Sequence, residues 1–189
     1  NNLKFKSFKI IREKVNSHYL TTEEIQGLFD RRGELSSLDL HRLDYFLLMA
    51  YTSLRVGDML RLRKKNIIFD EIPLIEFLES KNSKSIYFRI TTEVQAILDS
   101  YDGGFPNDII RYKVNNNGIN ETMRKLVKHK KITSHCGRRS YVNNEIIKGT
   151  SYENIMRSTG HKSREAFNIY VSSCSDKELL KAQARREFD

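Results

Sequence analysis

Cysteine is scarce in this chain. Cys136 and Cys174 are the only two, too few for a disulfide framework and too far apart for a CxxC pair, and a reducing cytoplasm fits that usage. Long hydrophobic runs are missing: no stretch of about 18 apolar residues occurs and no charged-then-apolar segment opens the chain, so neither a membrane span nor a signal peptide is expected. Internal repeats are missing too, and low complexity is confined to Asn115-Asn116-Asn117-Gly118, which reads as a loop. The first residue is Asn1 and not Met, from which a preceding region is expected.

What is present is one core's worth of apolar residues and an excess of positive charge. The 189 residues are 39% hydrophobic, enough for a single buried core. Lys and Arg number 33 against 24 Asp and Glu, a formal charge of +9 that attracts a polyanion through release of its condensed counterions. Nucleic acid is the leading partner on this count, and a basic protein with solvated lysines is the plainer alternative.

Residues 1–20 carry many lysines without a period and read as a linker. Thr21 and Glu24 have capping-box spacing ahead of Ile25, Leu28 and Phe29. Ser36 or Ser37 caps a second helix, in which Leu40, Leu43, Leu47 and Ala50 recur at helical spacing, ending near 51–53. A short amphipathic piece follows through Met59, Leu60 and Leu62. Strands are expected at 67–69, 73–78 and 85–90, the last two joined by a polar hairpin loop over 80–84. Helices then return at 92–100, 120–129, 138–148 (stopped by Gly149), 152–157 and 163–171. A capping box at Ser175 and Glu178 opens a terminal helix carrying Leu179, Leu180 and Ala184. The fold class is thus mixed, mainly α, with a small antiparallel sheet.

Several side chains suit work on a phosphate. His135 and Arg138 sit just before the helix expected at 138, where a helix N-terminus favours an anion; an isolated HxxR is more often a capping histidine beside a solvated arginine. Gly160-His161 precedes Tyr170 by nine residues, a helix length that returns a phenol to the imidazole, although a lone Tyr is usually a core aromatic. Arg55 follows the core helix, with Asp58 placed either to orient its guanidinium or to hold it in a surface salt bridge. Lys81 lies in the hairpin loop, where turn lysines are ordinarily solvated.

Together, Arg55, Lys81, His135, Arg138, His161 and Tyr170 form a phosphoryl-transfer set. Two arginines neutralise charge gathering on a pentavalent phosphate without a metal. Phenols ordinarily ionise near pH 10, at about the value of the free side chain, so the tyrosine needs a base and nearby cations. The leaving 5′-oxygen needs a proton, which a hairpin lysine supplies.

The order and spacing of these residues resemble the catalytic domain of tyrosine recombinases, the family of phage and transposon integrases, over nearly the whole chain. Leu54-Arg55-Val56-Gly57-Asp58-Met59-Leu60 resembles the first-arginine box and Ser80-Lys81-Asn82-Ser83-Lys84 the lysine hairpin. His135-Cys136-Gly137-Arg138-Arg139-Ser140 resembles the HxxR box, and Thr159-Gly160-His161-Lys162-Ser163 leading to Tyr170 the Gly-His and tyrosine boxes. Asp58 stands where the family often has Glu, Gly137 where it has Leu, and Thr159 where it has Leu. The glycine is expected to loosen the placement of His135 and Arg138.

The resemblance implies that Tyr170 forms a 3′-phosphotyrosyl link while Arg55 and Arg138 clamp the phosphate. Lys81, or else Lys84, protonates the leaving oxygen; His135 moves the tyrosine proton; His161 hydrogen-bonds the phosphate. It implies no cofactor and no metal, duplex DNA as partner, a tetramer on DNA with a monomer in isolation, and a bacterial nucleoid location. It divides the chain into a linker at 1–20 from an N-terminal DNA-binding region, a catalytic domain at 21–174, and a helix at 175–189 that docks on a neighbouring subunit or packs on its own core. The rival readings are a type IB topoisomerase, a DNA-binding protein without catalysis, and a zinc or thiol enzyme on His135, Cys136 and His161; Tyr141 and Tyr152 are the substitute nucleophiles.

Overall fold

The computed structural model describes residues 18–78, 85–110 and 114–172, together with 174, 179, 180 and 184. The hairpin loop with Lys81 and Lys84, most of the expected linker and most of the terminal helix lie outside the described residues. Among those described, nine α-helices and three strands run in the order α1 (Thr22–Asp30), α2 (Ser37–Thr52), α3 (Val56–Met59), β1 (Ile67–Ile68), β2 (Leu74–Leu78), β3 (Ser85–Arg89), α4 (Thr92–Asp99), α5 (Pro106–Ile109), α6 (Asn116–Leu126), α7 (Ser134–Lys148), α8 (Tyr152–Thr159) and α9 (Arg164–Val171). The mixed, mainly helical class expected from the sequence is the one observed.

Helix α2 is the axis of the fold. Leu43 through Ala50 are all buried, so the helix is enclosed on every side, and its most extensive partner is α7, followed by α6. The enclosed face includes Asp44, whose carboxylate accepts from Arg32 at 2.6 and 3.1 Å and from the Tyr101 hydroxyl at 2.7 Å, the pairing that a fully buried charge requires. The capping box at α1 forms as expected, with Thr21 N–H donating to Glu24 Oε2 at 2.8 Å.

The strands form one antiparallel sheet in the order β1-β2-β3. Ile75, Phe77, Ile86 and Phe88 alternate onto the core face, while Tyr87 and Glu76 pair across the outer face.

Two expectations fail at helix starts. Asn115 to Gly118 is the cap and first turn of α6 and not a loop, because the Asn115 side chain accepts from Gly118 N–H at 2.9 Å and closes the helix end. Helix α7 begins at Ser134, four residues ahead of the expected start, so His135 and Arg138 lie inside it. Partners distant in sequence set that start: Ser134 N–H donates to Asn120 Oδ1 at 2.7 Å and its hydroxyl to Asn116 Oδ1 at 2.8 Å, both from α6. Cys136 reaches back to accept Thr133 N–H at 3.3 Å, which occupies its thiol in capping.

Two apolar clusters result. The large one is built around α2 and includes Met49 and Cys136; the smaller gathers Val142, Ile146, Ile155, Phe167, Tyr170 and Cys174 from α7, α8 and α9 and their surroundings. Residues 18–20 lie along α7, where Leu20 N–H donates to Ser140 Oγ at 2.9 Å and Asn144 donates to Leu20 O at 3.2 Å. Leu179 packs on the smaller cluster and Leu180 is exposed.

Candidate active site

Arg138 occupies the seam between the two clusters. It is 3% exposed, and its guanidinium is tied to the backbone on both sides: Nη1 donates to Ser53 O at 2.8 Å and Nη2 to Thr159 O at 2.7 Å. The first carbonyl belongs to the turn that ends α2, the second to the last residue of α8. No described carboxylate pairs with Arg138, and its Nε has no hydrogen-bond partner among the described residues. Burial and the neighbouring Arg55 charge push this guanidinium below the usual arginine range, opposed by Tyr170 and Asp58. A buried cation held by neutral dipoles keeps its charge available to an anion.

Arg55 joins this group through the same turn. Ser53 adopts a left-handed conformation (φ 60°) that stops α2 after Thr52, and two residues later Arg55 stands exposed at the N-terminus of α3. The turn thus holds Arg138 through its carbonyl while presenting Arg55. Asp58 does neither of the things expected of it: its carboxylate accepts from Arg61 at 2.9 Å, one helical turn along, and leaves Arg55 without an ion pair among the described residues.

Tyr170 reaches the cluster from α9. Its ring is 8% exposed, in T-shaped contact with His161 at 5.0 Å between centroids, and its hydroxyl lies 3.3 Å from His135 Nε2. His161 Nε2 lies 3.3 Å from Arg138 Nη2, and its Nδ1 lies 2.5 Å from the Thr159 hydroxyl. Shielding from solvent, then the Arg138 and Arg55 charges, lower His161 to about 4. The same shielding, followed by Arg139, Arg138 and Arg55, lowers His135. A proton on either ring would face two guanidinium ions, so both rings stay neutral near pH 7.

Of the six residues read from the sequence, Arg55, His135, Arg138, His161 and Tyr170 therefore meet around one guanidinium, and Lys81 lies outside the described residues. Sequence reasoning missed Ser53, which contributes a backbone oxygen and has no residue-type signature. Gly137 also serves otherwise than expected. A Cβ there would sit 3.1 Å from Met49 Cβ and 3.3 Å from Phe46 O, so the glycine admits a close approach of α7 to α2 and adds no looseness.

The substitute tyrosines lie elsewhere. Tyr141 donates to Ser158 at 3.4 Å and Tyr152 packs edge-on against Phe167. A cavity of about 500 Å³ between α1, α2, β3 and α7, lined by Tyr51, Tyr87, Glu93, Tyr141 and Lys148 among others, includes none of the five clustered residues. Of the five, Arg55 and His135 are exposed and His161 is half-buried, whereas Arg138 and Tyr170 are buried. Among the described residues no group of three or more His, Cys, Asp or Glu is placed to hold a metal ion, and no helix is long and apolar enough to cross a membrane.

Comparison with solved structures finds the same fold. The XerH site-specific recombinase in a post-cleavage complex with its difH substrate matches with a TM-score of 0.66 at 14% identity, covering 92% of this chain and 54% of that one. XerA recombinase matches at 0.69 and 19% identity, covering 89% and 65%. The Tn1549 transposon integrase in complex with circular intermediate DNA matches at 0.60 and 16%, covering 92% and 65%. This chain thus spans between about half and two thirds of their lengths. Comparison with curated proteins finds no match. The sequence pattern of the phage integrase family matches residues 18–176, which takes in the cluster from Arg55 to Tyr170. By that match the chain belongs to the phage integrase family, the tyrosine recombinases whose motifs its sequence resembles.

Proposed function

We propose that the chain is a DNA strand-transferring catalytic domain that cuts and rejoins duplex DNA through a covalent bond to Tyr170. The observation that carries this reading is Arg138: a buried guanidinium, unpaired with any described carboxylate, beside a tyrosine whose hydroxyl lies 3.3 Å from a neutral imidazole. In the reaction, Tyr170 Oη attacks phosphorus and His135 takes the phenol proton at Nε2. The bond from phosphorus to the 5′-oxygen breaks, leaving a 3′-phosphotyrosyl link and, with a proton from Lys81, a free 5′-hydroxyl. Arg55 and Arg138 neutralise the charge on the non-bridging oxygens, a role usually given to preorganised donors or a metal. Religation is the reverse with a second 5′-hydroxyl, and the retained ester makes an external energy source unnecessary.

The complexes of XerH with difH and of a lambda integrase dimer with its core site support duplex DNA as the partner. The same reading takes a tetramer of chains on that DNA, in a bacterial cytoplasm at the nucleoid. The test is a suicide duplex bearing the cognate site, incubated with the chain and run on a denaturing gel. A covalent protein–DNA band is expected from the wild type and none from Tyr170→Phe; a band that persists in the variant moves the nucleophile elsewhere.

A further inference from the structure

Thr159 is the last residue of α8 and touches two members of the cluster with two different atoms. Its carbonyl accepts from Arg138 Nη2 at 2.7 Å, and its hydroxyl lies 2.6 Å from Ile155 O, one turn back, and 2.5 Å from His161 Nδ1. A hydroxyl has one proton to give and two lone pairs. Ile155 O is an acceptor only, so the proton goes there, and the hydroxyl is left as an acceptor toward the ring. Nδ1 must then carry the imidazole proton. The far side of the ring imposes the same choice independently: Nε2 faces Arg138 Nη2 at 3.3 Å, and a guanidinium can only donate. Gly160, left-handed at φ 68°, turns the chain so that His161 folds back over the helix end, where its N–H reaches Met156 O at 3.0 Å.

We propose that Thr159 is a positioning residue that fixes His161 as the Nδ1–H tautomer and thereby makes its Nε2 an acceptor for Arg138. The inference rests on the phosphate-binding role given to Arg138 above, and it adds a part for His161 in holding that guanidinium. The nitrogen nearest the guanidinium holds a lone pair in this arrangement, so Thr159 and His161 together orient Arg138 in the DNA-free chain. Thr159 grips Arg138 twice, once through its own carbonyl and once through the histidine. The neutrality of the ring near pH 7 is consistent with this chain of donors and acceptors.

The test is long-range proton–nitrogen correlation NMR on the uniformly 15N-labelled 189-residue chain at pH 7, with the His161 ring assigned by its loss in His161→Gln. The wild type is expected to carry the ring proton on Nδ1. Thr159→Val keeps the branched shape and removes the hydroxyl, and the proton is expected to move to Nε2 at least in part; Thr159→Ser is expected to restore the wild-type pattern. Suicide-substrate cleavage should fall about tenfold in the valine variant, the size of one lost hydrogen bond, and recover in the serine variant. A wild-type ring protonated on Nε2, or a valine variant with an unchanged tautomer, overturns the proposal, as does cleavage unchanged alongside a switched tautomer. Failure of the wild type to form any Tyr170 adduct would strike the proposed reaction instead, since the tautomer is read without DNA.

Discussion

Arg138 is unusual as a residue because its charge is desolvated without being neutralised. Burying a lone cation costs several kcal/mol unless dipoles replace water, and here two carbonyls and an imidazole lone pair do so. The expense falls on the histidines. Shielded from water, and with Arg138 and Arg55 alongside, His161 binds its proton only near pH 4, while the unfolded chain binds it near the ordinary value of about 6.5. Stability therefore falls as pH drops through that interval, because the unfolded state takes up a proton that the folded state refuses, and it is unaffected above the interval. His135 and His41 act in the same direction. Glu24 and Asp39, whose carboxyls are held below their usual range, add their losses at lower pH. Allowing for the partial exposure of the ring, His161→Gln should recover about 1 to 2 kcal/mol of the loss between pH 7 and pH 5. Denaturant titrations at the two pH values measure it, and a variant that loses as much stability as the wild type would show that the ring is not held neutral by its neighbours.

At the scale of elements, the contact of α7 with α2 sets where the turn at Ser53 sits against Arg138, and Gly137 is a point of close approach in it. Alanine there gains up to about 1 kcal/mol of helix propensity over glycine. Against that, the added Cβ meets Met49 Cβ at 3.1 Å and Phe46 O at 3.3 Å, neither of which is the free end of a flexible side chain. Overpacking of this kind costs about 1 to 3 kcal/mol and should win. Gly137→Ala is expected to lower the melting temperature by a few degrees and cleavage by more than its stability loss accounts for, since His135 and Arg138 flank the displaced point. Full activity at an unchanged melting temperature would mean that the helices have room to part. The sequence could not disclose this contact, because close approach of two helices 90 residues apart leaves no local pattern. Where an element's cause was local it could be read: α1 from its capping box, α2 from the helical spacing of Leu40, Leu43, Leu47 and Ala50, the end of α7 from Gly149. The start of α7 could not, since Asn116 and Asn120 set it from another helix. In the site, the order of the boxes was legible, whereas the carbonyls of Ser53 and Thr159 that hold Arg138 were not, backbone oxygen being common to every residue. Asp58 was misplaced for a related reason: Arg61, one turn away on the same surface, competes successfully for it.

The molecule as a whole holds a buried Arg138 at the seam of two apolar clusters with an exposed Arg55 near it, and a net charge of +9 draws a polyanion to it. Charge alone does not say which cations meet phosphate, but pairing within the protein does. A cation already neutralised by a carboxylate has little condensed counterion to displace from DNA, whereas an exposed one without an ion pair displaces nearly a full equivalent. Among the described residues Arg55 is of the second kind and Lys130, bonded to Glu24 at 2.6 Å, of the first. Binding of a duplex to the chain, followed by fluorescence anisotropy over a series of salt concentrations, gives a line in log affinity against log salt. Arg55→Ala should make that slope shallower by about 0.9, one phosphate contact, while Lys130→Ala should leave it nearly unchanged. If the two variants shift the slope equally, DNA is held by diffuse charge over the surface, and the seam has no special claim on the phosphate.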